Sequence, residues 1–170
     1  MKKLKIFLTF FIIMLGVFPA LKAQENDAAE LQQMFDTKNF IFKAETANPQ
    51  SGRTRQLTQE YDLTISRDKI ICFLPYYGRA YNAPVSSEGG IKFTSIDFTY
   101  DVKKVKKGWE ITMIPMDVSD VHQMHLTAFT NGRATLQVTS NSRQNISFNG
   151  YVVKGKDDEK RLFDHHGARK

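Results

Sequence analysis

From Phe40 onward, apolar and polar residues alternate with a period of two, and Gly, Asn and Asp interrupt the alternation at short intervals. This pattern predicts antiparallel strands with one buried and one solvated face. The first strand places Phe40, Phe42 and Ala44 on one face and gives way to a polar loop through Pro49 and Gly52. The second turns Tyr61, Leu63 and Ile65 inward, and Arg67-Asp68 returns it onto Lys69 to Leu74, a nearly continuous apolar run. A long loop from Pro75 to Gly90 follows. Ile91, Phe93 and Ser95 share one face, whereas Ile96, Phe98, Tyr100 and Val102 continue in the opposite phase. A phase change within one run predicts a β-bulge at Ser95-Ile96 that bends a long strand.

Lys107-Gly108 closes a hairpin into Trp109, Ile111 and Met113, and Pro115 ends that strand because it has no N–H to donate. His122, Met124, Leu126 and Ala128 form the inward face of the next strand. Asn131-Gly132, which tolerates positive φ at both central positions, joins it to Ala134, Leu136 and Val138. Asn141-Ser142 makes a weaker turn into Ile146, Phe148, Gly150 and Val152. Ahead of the strands, Asn26 or Asp27 caps a short helix reaching about Asp36, with Ala28, Leu31, Met34 and Phe35 on one side. The sum is a mainly β chain: an eight-stranded antiparallel meander with no helical crossovers. Such a chain closes into a lipocalin-like barrel or half-barrel, and a β-sandwich is the alternative.

Composition places these elements in one domain. With 170 residues, 41% hydrophobic and 25% charged, the chain is long enough to bury about 70% of its unfolded surface without metals or disulfides. Residues 1–23 have the parts of a secretory signal peptide: Lys2, Lys3 and Lys5, an apolar run from Ile6 to Phe18, and Ala23 before the cut. The run is shorter than the roughly 20 residues that cross a bilayer core. No transmembrane segment is therefore expected after cleavage. The expected organisation is a signal peptide over 1–23, a helix and lead-in over 24–38, a β domain over 39–153, and a polar, frayed tail over 154–170. Removing Lys2, Lys3, Lys5 and Lys22 lowers the formal charge from +6 to +2, with 20 basic against 18 acidic residues. The tail holds six basic and four acidic side chains, which leaves the body near neutral. Nucleic-acid binding, which needs a concentrated basic face, is excluded as an expectation. The lone Cys72 lies in the apolar run Ile70 to Leu74, which reads as a buried, inert thiol.

The most unusual stretch runs from Leu74 to Pro84, where Tyr76, Tyr77, Arg79 and Tyr81 crowd one connection between strands. Tyrosines offer broad amphipathic surface at low entropic cost, and arginine stacks on rings or forks onto carboxylates. These four residues form a candidate ligand site at the rim of the barrel. In the bland alternative the tyrosines plug the barrel end while Arg79 pairs with Asp97 or Asp101. Other chemistry finds little support. His122 and His125 are three apart, which on a strand sends them to opposite faces, and no metal or cofactor is expected. No G-x-S-x-G elbow occurs. Asp97, Asp101, Asp117 and Asp120 could supply paired carboxylates, but they read as turn residues. Gly89-Gly90 lacks the lysine and helix of a phosphate loop. Asn145-Ile146-Ser147 matches a glycosylation sequon within a proposed strand.

The strings Leu74-Pro75-Tyr76-Tyr77-Gly78-Arg79-Ala80-Tyr81, Gly89-Gly90-Ile91-Lys92-Phe93, Asn131-Gly132-Arg133-Ala134 and Asn141 to Ser147 resemble a secreted bacterial family named domain of unknown function 4251. The likeness spans roughly residues 30 to 153. It implies export in a Gram-negative bacterium and a compact, mostly β domain, and it carries over no catalytic residues. The functional expectation is an exported, non-enzymatic protein of the periplasm or outer envelope and exterior. It would bind a small apolar or amphipathic ligand or a peptide at Tyr76, Tyr77, Arg79 and Tyr81, joined by Arg143 beside the last turn. The alternative is a packed interaction module docking to an envelope protein, and a hydrolase ranks third.

Overall fold

The computed structural model describes residues 18–81 and 89–155, with side chains from residue 27 onward. A helix, α1 (Phe18–Asp36), precedes nine strands: β1 (Phe40–Pro49), β2 (Arg55–Ile65), β3 (Ile70–Pro75), β4 (Gly90–Ser95), β5 (Phe98–Val105), β6 (Gly108–Pro115), β7 (Val121–Phe129), β8 (Arg133–Ser140) and β9 (Ile146–Lys154). All pair antiparallel in one sheet of order β4-β3-β2-β1-β9-β8-β7-β6-β5. The sheet curls into a nearly closed barrel. A single sheet sets aside the two-sheet sandwich.

There are nine strands, not eight, because the phase change at Ser95-Ile96 divides the expected long strand. Its first half, β4, pairs with β3, and its second half, β5, pairs with β6 at the far edge of the sheet. One continuous run thus carries both edges. The corner releases the amides of Ile96 and Asp97 from any ladder, and the Asp117 carboxylate receives them at 2.9 and 3.4 Å. Asp117 also accepts the Ser95 hydroxyl, and the Met116 amide donates to the Asp97 carbonyl at 2.7 Å. These contacts satisfy backbone groups that would otherwise be orphaned.

The interior follows the period-two pattern. Phe40, Phe42, Leu63, Ile65, Ile70, Cys72, Leu74, Ile111, Met113, Leu126, Leu136 and Phe148 are all buried, and the cluster runs through the whole sheet. Aromatic and branched side chains line the inside of the barrel. At one end the segment after α1 enters and the β5–β6 and β7–β8 turns lie; this is the helix end. The β3–β4 and β8–β9 connections lie at the other, the tyrosine end. Phe35 from α1 is fully buried at the helix end, its ring 5.1 Å from Phe40 edge-on and 5.3 Å from Trp109. The Tyr100 hydroxyl donates to the Phe35 carbonyl at 2.9 Å, and Trp109 Nε1 donates to Gln32. Burying a phenylalanine of this kind contributes roughly 1.5–3 kcal/mol.

Four local expectations are corrected. The helix starts at Phe18, so Asn26 and Asp27 lie inside it and not at its cap, with residues 18–25 adding further turns. His122 faces solvent, because β7 shifts register between Val121 and Gln123 and buries Val121 instead. The β7–β8 connection is a loop over residues 130–132 in which only Gly132 takes positive φ, 77°. The Asn131 side chain accepts the Arg133 amide at 3.1 Å. Ile96, expected on the inner face, is 75% exposed at the corner.

The sheet also contains a kink that the alternation does not announce. β1 carries an extra residue, Glu45, opposite β9. There the backbones approach so closely that a Cβ on Gly150 would lie 1.8 Å from the Lys43 carbonyl oxygen. Only glycine fits. Residues 82–88 of the tyrosine loop and the tail from residue 156 lie outside the described residues.

Candidate functional site

At the tyrosine end, residues 76–81 fold back onto the β8–β9 connection. Ala80 and Arg143 form an antiparallel bridge. The Tyr81 amide donates to the Ser142 carbonyl at 2.8 Å, and the Gln144 amide to the Arg79 carbonyl at 3.0 Å. The Tyr76 hydroxyl lies 2.9 Å from the carbonyls of both Arg79 and Gln144, sharing its proton between the two segments. Burial pushes the Tyr76 phenol above its ordinary pKa despite Arg143 beside it. It therefore remains a neutral donor at physiological pH.

Arg143 is the centre of the arrangement. Its guanidinium sits over the Tyr76 ring at 5.1 Å. One nitrogen, Nη1, donates to the Gly90 carbonyl at 3.0 Å, and Nη2 pairs with Asp120 at 3.2 Å. The side chain is only 9% exposed. Asp120 is held by the Ser140 hydroxyl at 3.1 Å and by the Ser142 hydroxyl. Gly90 begins β4 and Asp120 precedes β7, so one side chain ties the free edge of β4 to the other side of the barrel. A cation this deeply buried contributes little net stability when paired, but its removal strands the carboxylate.

The five residues singled out by sequence therefore separate. The structure brings Tyr76 and Arg143 into direct contact. Tyr77 instead faces Arg55 at the start of β2, with Cζ 4.7 Å from the ring centroid. Arg79 and Tyr81 are exposed, Tyr81 at 69%. The expected pairing of Arg79 with Asp97 or Asp101 is replaced. Arg143 takes Asp120, and Asp101 pairs with Lys103 at 3.4 Å. Sequence reading missed Arg55 and Gln144 and took Asp120 for a turn residue; their only signal is that the start of β2 and two connections meet in space.

The remaining candidates are occupied by structural contacts. Asp117 holds the corner, and the Ser95 hydroxyl and Ile96 amide lower its pKa. His125 Nδ1 lies 3.2 Å from the Thr112 hydroxyl. Burial pushes the Cys72 thiol far up, and its Sγ lies 3.6 Å from the Ile91 carbonyl. Among the described residues no group of three or more His, Cys, Asp or Glu side chains gathers as for a metal. An amide-rich groove of about 220 Å³ lies along the tyrosine end, lined by Asn48, Gln50, Gln137 and Asn145. Another, of about 330 Å³, opens at the helix end between Leu31 and Met34 of α1 and Val152 and Lys154 of β9.

Comparison with known proteins agrees with this architecture. The profile of the family described as "Domain of unknown function (DUF4251)" matches residues 22–152. A crystal structure of a DUF4251 family protein from Bacteroides eggerthii is similar, with a TM-score of 0.55 and 14% identity over 78% of this chain and 88% of that one. At that identity the likeness speaks for the fold alone. No curated protein matches the chain. The chain, over most of its length, belongs to the DUF4251 family.

Proposed function

We propose that this protein is an exported, non-enzymatic interaction module that binds a peptide segment of an envelope protein at the tyrosine end, on the outside of a packed barrel. One observation carries this reading: Tyr76 and Arg143 are consumed in fastening the loop, while Tyr81, Arg79 and the Tyr77–Arg55 pair are displayed beside an amide-rich groove. Exposed tyrosine and arginine on a fixed loop supply contact area with little conformational entropy to lose. Amide side chains lining the neighbouring groove match the donors and acceptors of a peptide backbone. The buried apolar side chains of the inner face favour the peptide form of the expectation over a small ligand, which needs about 300 Å³ or more of enclosure. Export rests on the basic start, apolar run and Ala23 of residues 1–23. Among the described residues no helix is long and apolar enough to cross a membrane.

The test is site-specific photo-crosslinking from position 81 in the native host. A single envelope protein captured repeatedly, and lost when Arg79 or Tyr77 is also replaced by alanine, supports the reading. Diffuse or absent adducts, with the protein correctly exported, would overturn it.

A further inference from the structure

Strand β5 is hydrogen-bonded along one edge only. It ends the strand order, paired with β6, and no described residue hydrogen-bonds to the backbone of its other edge. Such an edge is a template for another strand, which proteins ordinarily cover or guard. Lysines cluster at one end of this edge. Lys103 and Lys104 lie on β5, and Lys106 and Lys107 form the turn into β6. Lys103 pairs with the exposed Asp101, and Glu110 stands opposite it on β6. Lys104, Lys106 and Lys107 take part in no ion pair among the described residues. Lys38 adds another cation, its Nζ 5.6 and 5.2 Å from the ring centroids of Phe98 and Tyr100.

These two features select a partner together. Two β5 edges paired in parallel would set Lys103 and Lys104 against their own copies, where like charges repel, and in the centred antiparallel register they would meet Tyr100 and Thr99, with no carboxylate opposite. The charge that opposes a second copy favours a strand carrying carboxylates. Alternate side chains of an added strand would lie beside half-buried Phe98, Tyr100 and Val102 on one face and Thr99, Asp101 and Lys103 on the other. We infer that the open edge of β5 is a docking site for an extended acidic peptide, bound by strand addition. The lysine cluster lies at the helix end, so this site is separate from the tyrosine rim and stands or falls independently of it.

The probe is a fluorescein-labelled peptide, matched in length to the 8 residues of β5, that alternates Glu with Thr and Val. Its controls carry Lys for Glu, or Pro at alternate positions with the acidic charge kept. Fluorescence anisotropy with the intact protein should show binding of the acidic peptide, at least about tenfold weaker binding of the proline form, and no binding of the basic one. The double variant Lys106→Glu/Lys107→Glu should weaken binding about tenfold or more. The double variant Arg79→Ala/Tyr81→Ala should bind like the parent, which separates this site from the rim. Hydrogen exchange should slow at β5 amides on binding. Equal affinity for the acidic and proline peptides would reduce the site to charge attraction and overturn the inference. Failure of the acidic peptide to bind, with the protein co-sedimenting on vesicles of phosphatidylcholine and phosphatidylglycerol, would overturn it by making the lysines a lipid contact.

Discussion

Replacing Phe35 by alanine probes whether α1 is an integral closure of the helix end or a helix resting against a self-sufficient barrel. The Phe35 side chain is fully buried and touches the Phe40 and Trp109 rings at 5.1 and 5.3 Å. Truncating a buried phenylalanine to alanine costs about 3–5 kcal/mol, from lost transfer free energy plus the cavity that remains. The strand framework surrounds this site on several sides and limits collapse, so about 3–4 kcal/mol is the expected loss. That is a large share of the roughly 5–15 kcal/mol that holds a domain folded, and it should lower Tm by about 10–15 °C. Trp109 is the only tryptophan, is 1% exposed and lies against Phe35. Urea unfolding followed by its fluorescence therefore reads stability and local packing together. The expected result is an unchanged m-value, a lower midpoint and native emission shifted to the red. A loss under about 1 kcal/mol with unshifted emission would refute α1 as the closure of the helix end, because it would place α1 outside the cooperative unit.

Arg143→Met should cost about 1–3 kcal/mol by urea melt, because it leaves the Asp120 carboxylate without its cation. It should also speed amide exchange at residues 79–81, and adding Asp120→Asn should recover part of the loss. The pKa of Asp117 is lowered in the fold by Ser95 and the Ile96 amide, so its contribution is present above the ordinary aspartate range and is lost as pH falls through the folded value. Acid titration of stability should show that decline in the parent, and Asp117→Asn should be less stable at neutral pH with a flatter acid limb. Cys72 is 2% exposed and its thiol is pushed far up by burial. It should react with a thiol reagent only at the rate of unfolding, measured with and without urea.

Much of the barrel was legible because its strands bury one face only. A period-two pattern marks the inward residues of β1, β2, β6 and β8, and the phase change at Ser95-Ile96 marked the corner where the sheet changes edges. Other features depend on contacts between distant segments, and no local pattern announces them. The inward turn of Val121 depends on a register shift against β8. The Glu45 bulge shows only as a glycine, Gly150, on another strand. At the candidate site, the tyrosine-rich composition drew attention to the connection after β3. Which arginine is buried was decided by what lies near: Arg143 meets Gly90 and Asp120, whereas Arg79 faces out. The open edge of β5 was likewise invisible, since strand order is a property of the whole sheet and not of any one strand.

The most direct test of a packed barrel that binds on its outside is native mass spectrometry of the protein purified from its host's envelope, before and after denaturation. The account predicts a chain that releases no stoichiometric small molecule and is recovered with one recurrent protein partner, which dissociates when Arg79 and Tyr81 are replaced by alanine. A small molecule retained in one-to-one ratio and freed on unfolding would contradict it.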